Sequence, residues 1–318
     1  MKIIVLEPLA VTAAEFAVAV EPLKAAGHKV VSYDTRSDDI EELQKRAHDA
    51  DVLVIANMPL RREIITSCSR LKMLSVAFTG VDHVDIAACR ERGIAVSNCA
   101  GYSTQAVAEL VIGLMIGVMR NMVPLDNDVR RGGTKGDFSQ REVSGKTLGI
   151  VGTGAIGQRV AAIAAALGCR LLAYNRTEKE EVKKVGASYV DLDTLLSESD
   201  IVSLHLPLNE ATHGLISRDK LALMKRSSIL INTSRGGLVD NQALADTLAS
   251  GGIAGAGIDV FDMEPPIPSG YALLHAPNTV LTPHIGFASQ EAMRIRAKLV
   301  FENIIRWMEG KPQNVIVP

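Results

Sequence analysis

The stretch "GIVGTGAIGQRV", residues 149–160, decides the fold of this chain. Its first residues continue an apolar, β-branched run that begins at Thr147, the pattern of a buried strand. Its last residues open a helical pattern. Between them stand Gly152, Gly154 and Gly157 in the spacing G-x-G-x-x-G. Gly152 permits a tight turn, Gly154 lets the backbone approach a pyrophosphate, and Gly157 lets the helix pack close to the strand. The helix N-terminus then faces the phosphates. The bare spacing is a weak signal, but its strand-turn-helix setting makes it a strong one. Gly152, Gly154, Ala155, Ile156 and Gly157 are therefore expected to line a dinucleotide. The nearby "SGKT" (144–147) only resembles the end of a phosphate-binding P-loop. Gln140 stands where that motif needs glycine, and a strand follows where it needs a helix.

Outward from this unit the pattern repeats. Downstream come "RLLAYN" (170–175), "DIVSLHL" (200–206), "SSILINTS" (227–234), "AGAGIDV" (254–260) and "TVLTPH" (279–284), with helical patterns at 155–167, 218–224 and 240–250. Upstream lie "KIIVLE" (2–7), "HKVVSY" (28–33), "DVLVIA" (51–56), "KMLSVAF" (72–78) and "IAVSN" (94–98), which read as buried parallel strands with helices near 12–26 and 39–48. The connections are long enough to hold helices, so both sheets are expected to be parallel. One long buried helix is predicted over 103–121, capped by Ser103 or Thr104, and an amphipathic helix over 289–310, ending near Gly310.

Composition narrows the function classes. The 318 residues leave room for about two domains of roughly 150 residues each. With 47% apolar and 22% charged residues the chain can bury a sizeable core. A net charge of −2 supplies no attraction to nucleic acid or an anionic membrane. The most apolar run, 110–119, is too short to span a bilayer, which needs about 20 residues. The opening "MKIIVLEPLAV", interrupted by Glu7 and Pro8, reads as a strand rather than a signal peptide. Cys68, Cys89, Cys99 and Cys169 form no CxxC pair and lie at no metal-ligand spacing from histidine. They read as free thiols of a reducing cytoplasm, with no metal site.

The second strand of the nucleotide unit ends on Asn175, where an NAD-binding chain places a carboxylate against the ribose 2′-hydroxyl. Asn175 removes a charge that would repel a 2′-phosphate. Arg176 supplies a cation and Thr177 a hydroxyl, so the pattern favours NADP over NAD. Glu178, Glu180 and Glu181 work against this preference.

Three further strand ends carry reactive groups: Arg235 in "INTSRGG", Asp259 and Glu264 in "GIDVFDMEPP", and His284 in "LTPHIG". In open α/β sheets ligands bind beyond the carboxyl ends of the strands. These motifs, with "TGVDHVD" (79–85) and "TQAVAEL" (104–110), occur in the order and spacing of the D-isomer-specific 2-hydroxyacid dehydrogenase family, which the whole chain resembles. The resemblance implies a Rossmann nucleotide domain, about 101–285, inserted into a discontinuous flavodoxin-like substrate domain, 1–100 plus 286–318, and a homodimer formed through the nucleotide domain. It implies that Arg235 binds the substrate carboxylate and polarises the 2-oxo group, that His284 transfers the proton, and that Glu264 orients His284. Asp259 would hold the nicotinamide carboxamide. Thr233, Ser234 and Pro207 would border the cofactor, with Thr104 at its nicotinamide half and Thr212 at its adenosine side. The stretch Phe78, Thr79, Gly80 and Val81 would meet the substrate, with main-chain N–H groups around Gly80 and Val81 gripping its carboxylate and Phe78 forming an apolar wall.

Ketone reduction needs a protonated imidazole and alcohol oxidation a neutral one, so reduction is expected at lower pH than oxidation. The substrate reads as a small or apolar 2-oxo acid such as glyoxylate, hydroxypyruvate or an aryl-pyruvate. The alternatives are a phosphoglycerate dehydrogenase-like enzyme, for which Arg61 and Arg62 stand near the third strand, and a nucleotide-sensing scaffold of the corepressor kind.

Overall fold

The upstream strands are short because each is a run of four or so apolar residues closed off by turn-forming or charged ones. A computed structural model describes all residues from Met1 to Pro318. It divides into two units, Met1–Ser103 with Ala288–Pro318, and Thr104–Phe287. In the first unit β1 (Lys2–Val5), β2 (Lys29–Ser32), β3 (Val52–Ile55), β4 (Met73–Val76) and β5 (Ala95–Ser97) alternate with α1 (Ala13–Ala25), α2 (Ile40–Ala47), α3 (Arg62–Ser67) and α4 (Ile86–Glu91). Their order across the sheet is β2-β1-β3-β4-β5, all parallel, which is the flavodoxin arrangement. β1, β3 and β4 are buried almost throughout. β2 lies at the edge and is half exposed, which corrects the expectation of a buried strand there.

The second unit begins with α5 (Thr104–Met119). This is the helix expected over 103–121, and a second one follows it that was not expected: Asn121 takes a left-handed backbone, its side-chain amide donates to the Ser139 carbonyl, and α6 (Met122–Arg130) leaves at 61° to α5. No single helix is long and apolar enough to cross a membrane. Then come β6 (Thr147–Val151), α7 (Ala155–Ala166), β7 (Arg170–Tyr174), α8 (Glu180–Lys184), β8 (Ala187–Tyr189), α9 (Leu192–Glu198), β9 (Ile201–Leu204), α10 (Arg218–Leu223), β10 (Ile229–Asn232), α11 (Asn241–Ala249), β11 (Gly255–Ile258) and β12 (Thr279–Leu281). The sheet runs β12-β11-β10-β9-β6-β7-β8, all parallel, with its switch point between β6 and β9. Successive side chains of a strand point to opposite faces, and the core sorts accordingly. Ile150, Ile229 and Ile231 pack with α5 and α7 on one face, and Val151 and Leu230 with α9–α11 on the other. β8, three residues long, has no sequence signal strong enough to have been expected.

The chain then returns to the first unit through α12 (Gln290–Met308) and β13 (Val315–Val317). Ser289 caps α12, and Gly310 in a left-handed conformation closes it. Its buried face comprises Ala292, Met293, Arg296, Ala297, Val300, Phe301, Asn303 and Ile304, while Ile295, apolar like most of these, is exposed. β13 pairs with β5 antiparallel, so the first sheet is not wholly parallel.

α1 and α12 pack side by side, with Phe16 edge-on to Phe301 at 5.7 Å. The Glu15 carboxylate accepts the Thr12 N–H at 2.9 Å, closing a capping box, and also accepts from Arg294 on α12. These donors, Thr12 first and Arg294 next, hold the Glu15 carboxyl at about 2. A folded-state value below the unfolded one adds stability above the ordinary carboxylate range, which is lost as pH falls through the folded value. Between pH about 4.5 and 2 the wild type should therefore lose more stability than Glu15→Gln, as read by urea unfolding at each pH; parallel curves would remove Glu15 from acid sensitivity.

Candidate active site

The turn after β6 is built for a phosphate group. Gly152 has φ +101° and its N–H bonds the Tyr174 carbonyl at 2.8 Å. A Cβ at Gly157 would lie 2.1 Å from the Gly152 oxygen, so only glycine lets α7 start this close to the strand. Gly154 is different: its backbone is ordinary, and a Cβ there meets nothing within 4 Å. No side chain caps α7, so the N–H groups of Ala155, Ile156 and Gly157 face that open space without intrahelical partners. The Thr233 hydroxyl, at the end of β10, is buried without a hydrogen-bond partner. An open space before an uncapped helix and an orphaned hydroxyl at the end of β10, two strands away in the same sheet, fit a bound dinucleotide.

Asn175 is engaged in the loop itself. Its Oδ1 accepts the Thr153 N–H at 3.4 Å and its Nδ2 donates to the Thr177 carbonyl at 2.7 Å. The second bond needs a donor, which a carboxylate lacks. Tyr189, on the unforeseen β8, ties the same loop together by donating to the Thr153 hydroxyl and accepting the Lys179 N–H, both at 2.9 Å. Arg176 and Thr177 are exposed, and Arg176 makes no ion pair. Two of the nearby acids, Glu178 and Glu180, are engaged by Lys183 at 2.6 and 3.0 Å. Thr212 is taken up locally, donating to the Pro207 carbonyl at 2.7 Å and accepting the Asn209 N–H at 2.9 Å. Thr104 is half-buried at the first residue of α5.

The three reactive strand ends are neighbours because β10, β11 and β12 are adjacent in the sheet. Arg235 follows β10. It is half-buried, its Nη1 donates to the Ser234 carbonyl at 2.8 Å, and its own carbonyl accepts from Asn232 at 3.0 Å. Glu264 and His284 meet: the imidazole Nδ1 lies 2.8 and 3.0 Å from the two carboxylate oxygens. An ionised carboxylate only accepts, so Nδ1 carries the proton of this bond and Nε2 is left for proton exchange. His284 is mostly covered and Glu264 is open to solvent, with side-chain exposures of 18% and 73%. The Phe287 ring stands edge-on to the imidazole, centroids 5.5 Å apart.

Asp259 has an occupation that the motif alone did not reveal. Its carboxylate, fully buried, accepts from the Thr282 hydroxyl at 2.6 Å and from the Ile285 and Gly286 N–H groups at 2.9 Å each. Its carbonyl accepts the His284 N–H at 2.8 Å. These bonds hold His284 at φ +57°, a conformation that costs a non-glycine residue about 1–3 kcal/mol.

In the first unit, Phe78 is nearly buried, edge-on to His83 and tilted against Tyr102 with centroids 6.4 and 6.3 Å apart. Thr79 is exposed, Gly80 and Val81 are half-buried, and neither the Gly80 nor the Val81 N–H donates within the protein. The loop is braced from the end of β3: the buried Glu7 carboxylate accepts the Ala56 and Met58 N–H groups at 2.7 and 2.9 Å, and Leu60 pairs with Val84. Arg62 is held by Asp85 and Glu91.

With this geometry in place, the comparisons are decisive. The profile of the NAD-binding domain of D-isomer specific 2-hydroxyacid dehydrogenases matches residues 112–286. The chain belongs to the D-isomer-specific 2-hydroxyacid dehydrogenase family. It is 41% identical over 285 residues to a glycerate dehydrogenase of Methylorubrum extorquens, covering 87% of this chain and 88% of that one. It is 41% identical to a glyoxylate reductase of Thermococcus litoralis, covering 86% of each chain. Among solved structures, an acyclic imino acid reductase in complex with NADPH and D-Arg superimposes with TM-score 0.89 at 32% identity, covering 99% of this chain and all of that one. This D-2-hydroxyacid dehydrogenase is thus an NAD(P)-dependent oxidoreductase that moves a hydride between the cofactor and a 2-oxo/2-hydroxy acid pair.

Neither His205 nor the four thiols suggest a second chemistry. Burial holds His205, hydrogen-bonded to Ser203 at 2.9 Å, down at about 4, so it stays neutral at pH 7. Burial pushes the Cys89 and Cys99 thiols up to about 11 and 12 and raises Cys68 and Cys169, so none is primed as a nucleophile. The glycine loop yields a paired prediction. Gly154→Ala should fold with stability within about 1 kcal/mol of wild type, yet bind NAD(P)H at least about tenfold more weakly. Gly157→Ala should be destabilised by about 1–3 kcal/mol or more through overpacking. Thermal unfolding and a nicotinamide fluorescence titration distinguish the two, and equal behaviour of both variants would contradict the assignment.

Proposed function

We propose that this enzyme works as a reductase, converting a small or apolar 2-oxo acid such as glyoxylate, hydroxypyruvate or an aryl-pyruvate to its D-2-hydroxy acid with NADPH. The bond between His284 Nδ1 and the Glu264 carboxylate, next to the strand end that carries Arg235, is the observation that carries the reading. When bound, the nicotinamide supplies the hydride. Arg235 binds the substrate carboxylate and draws electron density from the 2-oxo oxygen, a task suited to a planar guanidinium that offers two parallel N–H donors. His284 gives its Nε2 proton to that oxygen, and Glu264 steadies the resulting ring through Nδ1. The free N–H groups of Gly80 and Val81 receive the carboxylate of the substrate, as paired main-chain amides do for anions. Thr233, Ser234, Pro207, Thr104 and Thr212 border the cofactor. Asp259 acts first by holding His284; a carboxamide contact would have to use the acceptor capacity left after three hydrogen bonds.

Several observations favour the finer assignments. Asn175 and the unpaired Arg176 favour NADPH, and the engagement of Glu178 and Glu180 by Lys183 reduces the opposing charge. Arg62 is already paired with Asp85 and Glu91, which favours a small substrate over one with a distal phosphate. Met122, Val123 and Val129 on α6 are 52%, 46% and 65% exposed and the helix has no buried residue, which supports a homodimer through this face. Four unpaired thiols support a reducing, cytoplasmic setting.

Steady-state assays of a 2-oxo acid panel with NADPH and NADH test the reading. NADPH should be preferred, and Asn175→Asp should move the kcat/KM ratio toward NADH by about tenfold or more, because a carboxylate repels a 2′-phosphate. A wild type preferring NADH tenfold would reverse the cofactor assignment. The reductive rate should fall and the oxidative rate rise with pH. His284→Gln should cost about 10²–10⁴ in kcat while NADPH still binds; a smaller loss would take the proton from another group. Sedimentation should show a species of twice the 34.0 kDa chain, and a lone monomer at micromolar concentration would rule out the dimer.

A further inference from the structure

The Gly80 N–H has no acceptor within the protein, and something must keep it turned outward. A peptide unit is planar and trans, so its C=O and N–H point in opposite directions. The carbonyl that shares a unit with the Gly80 N–H belongs to Thr79, and it accepts the Asn98 Nδ2–H at 2.7 Å. The preceding carbonyl, of Phe78, accepts the Cys99 N–H at 2.8 Å. Two successive peptide planes of the loop are therefore anchored from the segment that follows β5.

Asn98 is itself immobilised. It is 7% exposed, its Oδ1 accepts the Ala100 N–H at 3.1 Å, its N–H donates to the Asn314 carbonyl at 3.0 Å, and its carbonyl accepts Asn303 Nδ2 at 2.7 Å. Asn303 Oδ1 in turn accepts from Gln313 and Asn314 at 3.1 and 3.2 Å. The amide orientation is set by its backbone partners, since the oxygen faces an N–H and the nitrogen faces a C=O. Aspartate could keep the first bond but not the second.

From this geometry we infer that Asn98 is a positioning residue that aims the Gly80 N–H at the carboxylate of the substrate. The inference rests on the proposed role of Gly80 and Val81. Accepting a hydrogen bond at the Thr79 oxygen also polarises the peptide and strengthens its N–H as a donor. Asn98 touches neither cofactor nor substrate in this scheme, so its removal acts on substrate affinity and leaves the chemical step alone.

Asn98→Asp and Asn98→Ala, compared with wild type as full-length enzyme saturated with NADPH, test this. Both should raise KM for the 2-oxo acid by about tenfold, the worth of one well-placed hydrogen bond, with kcat and the KM for NADPH within about twofold. Phe16→Leu, which loosens the α1–α12 contact away from the loop, should lower the unfolding temperature without raising that KM. Amide NMR with oxamate, a 2-oxo acid mimic that is not reduced, supplies the second readout. Oxamate should shift the Gly80 amide in wild type and do so only at higher concentration in the variants. An unchanged KM in both variants, or an equal rise in Phe16→Leu, overturns the role of Asn98. A wild-type Gly80 amide that does not respond to oxamate removes the carboxylate grip, and this inference with it.

Discussion

The buried carboxylate of Asp259 is the constraint on which the conformation of the His284 loop depends. It stands at the end of β11, the strand between those that carry Arg235 and His284. Three donors from the segment 282–286 converge on its two oxygens, and the His284 N–H binds its carbonyl. A left-handed histidine is unfavourable in isolation, and it persists because these bonds over-determine the loop. With the backbone held, the carboxylate of Glu264 has only to choose the ring face and tautomer. Glu264 can therefore be largely exposed and still orient the imidazole.

The same device recurs where the chain must present bare main-chain N–H groups. At the glycine loop, Tyr189 and Asn175 tie down the turn while the N–H groups of α7 are left open. At the loop after β4, Asn98 and Cys99 hold carbonyls while the Gly80 and Val81 N–H groups are left open. At the first the half-buried side chains of Asn175 and Tyr189 fix the turn, and at the second the buried Asn98 side chain and the Cys99 N–H fix two carbonyls. Such groups lower no barrier themselves; they avoid the cost of reorganising the backbone when the ligand arrives.

Much of this was legible in the residues. Gly152, Gly154 and Gly157 announce a nucleotide turn: Gly152 and Gly157 answer steric demands within the protein, and Gly154 leaves space open before the helix. Alternating apolar runs announce two α/β sheets because burial on both faces leaves little other choice. What was not legible came from short or long-range features. β8 has three residues and no pattern, β13 pairs with β5 far back along the chain, and the turn into α6 at Asn121 is held by the Ser139 carbonyl, which accepts from the Asn121 side chain. Ile295 follows helical spacing yet faces outward, since apolar periodicity does not say which flank of the stripe a neighbouring element will cover.

The sequence by itself determined the class of fold, the family and which polar side chains end the strands, because these depend on local sterics, strand and helix periodicity, and which side chains follow which strands. Only the tertiary structure decided how those groups are held. That Asp259 clamps the histidine loop and that Asn98 reaches the Thr79 carbonyl are facts about residues distant along the chain. A hydrogen bond requires its atoms to lie within about 3 Å and in line, and no local pattern of residues specifies that; the packing of the sheets does.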